Sequence, residues 1–376
     1  MEKRYIYGSL TRISDLELYP FEVENIDKKL WDTGDYVVGK YLCPKHRHTY
    51  SGPVATGDFC ELPSGRHRYY MPGDQVIGVL GNRNATQELC GEWQGIQHPD
   101  PDGGPTLMDD IDGAGLFGKM TSISPHFSRQ GQFEYAGHVI RNGSKVGMKD
   151  FAPRDYQPSS NPPKAPTILV VGTSMSCGKS CTARVAIHCL KDMGVPTVLG
   201  AKLTGAGYLN DILGFQDAGA DVVLDFVDVG LPSTVVPQEE YRTRLHHLFG
   251  LMESRHPDVM VVEAGASPCE SYNGRLVVEA FSQHPNLIVI LCATDAYSVL
   301  GAKQYLEAFG IVPDLVSGIV ANTSAGRGLV EKMSGFRTSS LNTDESIEDF
   351  ARLVSKRLGI TPQKFHASES REGTFA

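Results

Sequence analysis

The chain has 376 residues, enough for two domains that each bury a core, and no apolar run reaches the roughly 20 residues of a membrane-spanning helix. Lys and Arg number 35 against 44 Asp and Glu, a formal net charge of −9. That argues against nucleic-acid binding as the main task, yet leaves room for a local cationic pocket of nucleotide size. The opening MEKRYIYGSL lacks the apolar core of a signal peptide, and eight cysteines without regular spacing read as reduced core thiols, so a cytoplasmic setting is expected.

In residues 1–150, short β-type runs alternate with glycine turns: DYVVGKYLC, GDFCELP, HRYYMPGDQVIGVLG, GLFGKMTSIS and FEYAGHVI. Helical periodicity is scarce apart from the ambiguous SDLELYPFEVENIDKKLW. Strands this short and this closely spaced predict a small β-rich domain, a barrel or a sandwich. The run CPKHRH brings Cys43, His46 and His48 together, with Cys60 and His67 downstream. These are zinc-ligand residue types, but the spacing fits no common finger or ribbon. In SGRHRYYMPGD, Arg66, Arg68 and Tyr69 either serve an acidic substrate or lie along an ordinary strand. The N-A-T triplet at 84–86 is a glycosylation sequon without meaning in the cytoplasm.

Residues 151–166 include Pro153, Pro158, Pro162, Pro163 and Pro166, a density that supports neither helix nor sheet interior and reads as an extended linker. From 167 to 362 the pattern becomes strand, helix, strand, helix. TILVVG, PTVLGA, DVMVVEAG, NLIVILCA and LVSGIVAN are nearly continuous apolar runs, as in strands buried on both faces of a parallel sheet. Between them lie helix-spaced stretches such as KSCTARVAIHCLKDMG and AYSVLGAKQYLEAFG. The prediction is an α/β, doubly wound, mostly parallel P-loop domain with right-handed crossovers. ESIEDFARLVSKRLG forms a closing amphipathic helix, and the polar tail 363–376 is expected to be disordered.

The chemistry concentrates at TILVVGTSMSCGKSCTA. Gly172, Gly178, Lys179 and Ser180 read against the phosphate-loop pattern G-x-x-x-x-G-K-S, between a β-branched strand and a helix-forming segment. Glycines let backbone N–H groups curl round phosphate oxygens, and the helix N-terminus adds partial positive charge. The expected nucleotide contacts are Gly172, Thr173, Ser174, Met175, Ser176, Cys177, Gly178, Lys179, Ser180 and Cys181. Lys179 reaches the terminal phosphates and Ser180 joins a magnesium shell. Glu263 ends the strand VMVVE, where an acid lies in the ligand crevice as a magnesium ligand or as the group ordering a metal-bound water. Lys202, in GAKLTG, adds a second cation, and Thr204 and Gly205 offer a hydroxyl and amides to an anionic substrate. Asn322, at the end of SGIVAN, is the candidate base reader, since an amide both donates and accepts. Asp295 sits at a strand mouth without a defined role.

VVGTSMSCGKS resembles the loop of dethiobiotin synthetase and its relatives in the SIMIBI group of P-loop ATPases and GTPases. PTVLGAKLTGAG resembles their second strand, with its following lysine. PDVMVVEAGASPCE is similar to the VEGAG segment of dethiobiotin synthetase and of cobyrinate amidating enzymes, and GIVANTSAG to their base-side segment. AKLTGAGYLNDILGFQDAGADVVLDFVDVG more closely resembles a P-loop family that includes a D-glutamate N-acetyltransferase. The likeness spans about 167–334 and does not reach the N-terminal region. It implies Asp225, or Asp228 in its place, as a further magnesium ligand, and a homodimer. Two departures stand out. Ser174 replaces the acid of dethiobiotin synthetase, and the early lysine of the deviant Walker loop is absent, which disfavours partition-type and arsenite-pump-type ATPases.

The expected activity is ATP- and Mg2+-dependent activation of a small carboxylate or carbamate metabolite, ligase or kinase-like, with Lys179, Lys202 and Glu263 as catalytic groups. The N-terminal half would cover or supply the acceptor pocket. A CoA-dependent N-acyltransferase of an amino acid is the alternative, with the loop holding the phosphates of acetyl-CoA. A regulatory or metallochaperone NTPase, drawing on Cys177, Cys181 and His188, is a weaker third reading. No nucleic-acid or membrane partner is expected.

Overall fold

The computed structural model describes residues 4–42, 58–127 and 131–360. Cys43, His46 and His48 and the 363–376 tail lie outside the described residues. Of the downstream pair, Cys60 is buried and free, whereas His67 stacks on Phe59 with ring centroids 4.4 Å apart. Among the described residues, no group of three or more His, Cys, Asp or Glu is placed to hold a metal.

The first half closes into a barrel. Strand Gln75–Leu80 pairs antiparallel with Tyr36–Leu42. From there the ladder runs through Gln132–Arg141 and Leu107–Asp110 to Leu116–Ile123. That last strand returns, parallel, to the second half of Gln75–Leu80, and Tyr5–Tyr7 pairs with its first half. Of the two β-rich forms expected, this is the barrel, whose closure removes exposed edges. A register shift between Tyr135 and Gly137 bends the longest strand so that it can serve several partners. Tyr41, Tyr70, Phe117 and Phe133 fill the interior with ring centroids 5.0–5.5 Å apart, each buried ring contributing about 1.5–3 kcal/mol.

The proline-rich segment lies extended along helix α3 (Gln238–Glu253), with Ser159 N–H donating to the His246 carbonyl at 2.9 Å. Beyond it, six parallel strands stand in the order Val222–Asp225, Val198–Thr204, Val259–Ala264, Thr167–Gly172, Leu287–Cys292, Leu315–Ser317. Helices α1 (Lys179–Asp192), α2 (Leu209–Asp217) and α7 (Asp344–Leu358) pack on one face. On the other lie α3, α4 (Gly274–Phe281), α5 (Ala296–Glu307) and α6 (Ser324–Ser334). This is the doubly wound arrangement expected. Val222–Asp225 is a sixth strand, absent from the five runs read as strands. It is four residues long, ends in an acid, and its first two residues are only half-buried, so its apolar signal is weak.

One apolar cluster runs through both halves, joining Leu10, Tyr36 and Val79 of the barrel side to Phe226, Leu231 and Tyr241 of the sheet side. Polar links reinforce it. The buried Glu61 accepts from Leu209 N–H at 2.8 Å and Asn210 N–H at 2.9 Å, so a barrel-side carboxylate caps the first turn of α2, where backbone donors are otherwise orphaned. Arg12 pairs with Asp225.

Candidate functional site

Strand Thr167–Gly172 is buried along its whole length and delivers the loop to the carboxyl edge of the sheet, where open α/β folds bind ligands. Five residues separate Gly172 from Gly178, one more than the consensus loop allows, so Thr173 holds the consensus first-glycine position. Gly172 is required nonetheless, because a Cβ there would lie 2.6 Å from Cys177 Sγ and from Lys179 Cδ. Gly178, at φ 102°, starts α1 from a left-handed conformation, and Ser176 also has positive φ, 58°. Non-glycine residues held there cost of order 1–3 kcal/mol and cluster at ligand sites.

Lys179 is 5% exposed and folds back over the loop, its Nζ donating to the Ser174 carbonyl at 2.7 Å. Ser180 Oγ donates to Glu263 Oε1 at 3.2 Å. Glu263 lies between the loop strand and the Lys202 strand, in register with Val170 on one side and Lys202 on the other. Its second oxygen, Oε2, is buried without a hydrogen-bond partner among the described residues. Burial raises the carboxyl's pKa, against the opposing pull of Lys202, Lys179 and the Ser180 hydrogen bond. An orphaned carboxylate oxygen beside a serine hydroxyl fits a hard divalent cation, which takes one or two protein oxygens when phosphates supply others.

Lys202 is equally buried. Its Nζ donates to the Ala206 carbonyl at 3.2 Å and pairs with Asp211. Burial works to lower its pKa, but Asp211 and Glu263 outweigh it and the net direction is upward. The loop, Lys202, Asp211 and Glu263 share a cleft of about 520 Å³. Its other wall comes from the barrel half, with Phe59, Arg83, Glu88, Asp112 and Phe127. Asp112 Oδ2 is buried and unpartnered among the described residues.

Met175, Ser176, Gly178, Lys179, Ser180, Cys181, Lys202, Gly205 and Glu263, all singled out in the sequence, line this cleft. Others do not. Gly172 and Thr173 face a smaller hollow of about 210 Å³ beside α5, and the Cys177 side chain points into the core. Thr204 spends its hydroxyl on the Gly265 carbonyl at 2.9 Å, and Gly205, although it borders the cleft, spends its N–H on Thr234 Oγ1 at 3.0 Å. Asp225 stands two strands from Glu263, a separation of about 10 Å. One of its oxygens is held by Arg12 and the other by Val227 N–H, so the structure gives it no free oxygen for a metal. Asp228 accepts from Asp225 N–H at 2.7 Å and is likewise absent from the cleft. Asn322 does not end a strand. Strand Leu315–Ser317 breaks at Gly318, φ 84°, and a 3-10 turn, Ile319–Ala321, intervenes. Ile319 N–H donates to the Cys177 carbonyl at 3.2 Å, so the segment braces the loop while Asn322 itself is exposed. Asp295 caps α5 through Tyr297 and Ser298 N–H. Arg68 pairs with Asp74 at 3.4 Å, and none of Arg66, Arg68 and Tyr69 lines the cleft. Cys181 is exposed and His188 pairs with Asp192 on the outer face of α1, so neither joins Cys177 in a cluster.

No protein-family model matches the chain, and no curated protein does. Among solved structures, hydrogenase maturation factor HypB from Archaeoglobus fulgidus is 10% identical with a TM-score of 0.33, covering 52% of this chain and 91% of that one. A ParA family ATPase from Chlorobium tepidum TLS is 16% identical with a TM-score of 0.29, covering 53% and 94%. FlhF complexed with GMPPNP and Mg2+ is 13% identical with a TM-score of 0.28, covering 53% and 78%. Similarity at this level assigns no activity.

Proposed function

We propose that the protein binds ATP with Mg2+ and transfers the terminal phosphoryl group to a small carboxylate or carbamate. The observation that carries this reading is the Ser180–Glu263 pair under the phosphate loop, with Glu263 Oε2 buried and unpartnered. Loop N–H groups and the start of α1 take the phosphates, and Lys179 exchanges the Ser174 carbonyl for a phosphate oxygen. Ser180 and Glu263 would hold the magnesium ion, which supplies charge neutralisation on the phosphates when bound. Lys202, kept charged by Asp211 and Glu263, adds a second cation on the same side. The acceptor fits between this floor and the barrel wall. As its carboxylate oxygen bonds to the terminal phosphorus, the bond to the bridging oxygen breaks and that electron pair leaves on ADP. A carboxylate needs no base for this step, so positioning and charge are the protein's main tasks.

Calorimetric titration with ATP, GTP and acetyl-CoA, with and without Mg2+, tests the reading beside a Lys179→Ala control. Mg2+-dependent ATP binding that vanishes in the variant supports it. Tight acetyl-CoA binding with no response to ATP overturns it in favour of an acyltransferase.

A further inference from the structure

Among the described residues the barrel wall brings one cation, Arg83, to the cleft. Arg83 is 7% exposed, its Nη1 donates to the Ile111 carbonyl at 2.8 Å, and its guanidinium lies 5.3 Å from the centroid of the Phe127 ring. Its Nε is buried without a partner among the described residues. Nη2 pairs with Glu88, and the other oxygen of Glu88 accepts from Ser176 Oγ at 3.1 Å. Glu88 therefore bridges the guanidinium and the phosphate loop. Arg83, Glu88, Ser176, Lys179, Ser180 and Glu263 all line one cleft. A carboxylate resting on a phosphate loop occupies ground that an incoming polyphosphate needs, and like charges in a partly desolvated cleft repel strongly. The planar fork that now holds a carboxylate matches phosphate equally well.

We propose that Arg83 is a catalytic residue delivered by the barrel half, which exchanges Glu88 for the transferred phosphoryl group, and that Glu88 is the latch that keeps it off the loop until a nucleoside triphosphate displaces it. This rests on the phosphoryl-transfer reading above. Charge that builds on the equatorial oxygens as the bond from phosphorus to the bridging oxygen breaks is met by the guanidinium. The latch is partly exposed, its side chain 22% accessible against 8% for Arg83, so it is the freer of the two to swing away, whereas Arg83 stays anchored by Ile111 and Phe127.

The test uses the full chain and two variants, Arg83→Ala and Glu88→Gln, with Mg2+·ADP and Mg2+·ADP·fluoroaluminate as probes. Wild type should trap the fluoroaluminate complex. Arg83→Ala should weaken that trapping by about a thousandfold, the lower end of what such an arginine contributes, while its Mg2+·ADP affinity changes by less than about threefold. Glu88→Gln, an isosteric change at a partly exposed position, should tighten Mg2+·ATP by about fivefold, the scale of a single partly exposed charge, and Mg2+·ADP by less. Arg83→Ala that traps the analogue as wild type does, or Glu88→Gln that leaves ATP affinity unchanged or weaker, overturns the proposal and leaves the phosphoryl-transfer reading standing. Wild type that binds neither nucleotide overturns both.

Discussion

The two walls of the cleft are built by different means. The phosphate wall comes from short stretches of chain. Gly172 to Ser180 form one loop, Glu263 lies near the end of the strand directly beside it, and Lys202 faces Glu263 from the next strand over. The barrel wall assembles from distant segments. Phe59 belongs to the Phe59–Glu61 strand, Arg83 to the Arg83–Asn84 strand, and Asp112 and Phe127 to the stretches around Leu116–Ile123. Backbone geometry holds the first wall, so under the proposed function it can take phosphate whatever faces it. The second is set by long-range pairing, so it is suited to choosing what else enters.

Perturbing the local wall should cost most. Lys179→Ala removes the loop cation that the proposed function turns from the Ser174 carbonyl to a phosphate, and should weaken Mg2+·ATP binding by about a hundredfold or more, with little change in thermal stability. A variant that binds within about threefold of wild type would show that the loop does not work through this lysine. Gly172→Ala comes next. The added Cβ meets Cys177 Sγ and Lys179 Cδ at 2.6 Å, so the loop must shift at a cost of about 1–3 kcal/mol. Urea unfolding and ATP titration should then both show a loss.

The distant wall should respond chiefly in stability. Glu61→Ala strips the first turn of α2 of a cap supplied by the other half, a loss of about 1–2 kcal/mol. Nucleotide affinity should move little, and a larger change in ATP affinity than in stability would break the separation between the two walls. A test of a different kind, read in the pH profile, is at Asp228, whose carboxyl is pushed up to about 7 by burial and then by the charge of Asp225. An acid with a raised folded pKa binds its proton more tightly when folded. Its contribution to stability is full below the ordinary carboxyl value of about 4 and is lost as pH rises through about 7. Asp228→Asn keeps an oxygen for Asp225 N–H, so melting temperature should fall less between pH 4 and 7 than in wild type. Parallel profiles would contradict this.

The same division explains what was legible in the sequence. A strand, small residues and G-K-S lie within one helical turn and a loop of each other, so composition alone marks the phosphate wall. The alternation of strands and helices likewise gives the doubly wound sheet. Barrel and sandwich cannot be told apart beforehand, because the deciding fact is that Leu116–Ile123 returns to pair with Gln75–Leu80. Asp225 has the right residue type at a strand end, yet its occupation by Arg12, 213 residues earlier, leaves no trace in local spacing. Asp211 pairs with Lys202 from the first turn of α2 and carries no motif. Arg83 and Glu88 sit in GNRNATQELCGEW, whose visible pattern is a glycosylation sequon rather than a site.

The most direct measurement is the dependence of ATP affinity on Mg2+, taken by calorimetry for wild type and Glu263→Gln. A working Ser180–Glu263 metal pair makes ATP bind more tightly with Mg2+ in wild type, and the variant, whose amide keeps the shape but loses the charge, should lose about tenfold or more of that enhancement. An enhancement of equal size in both proteins, or none in wild type, would contradict a metal-assisted phosphate site at this loop.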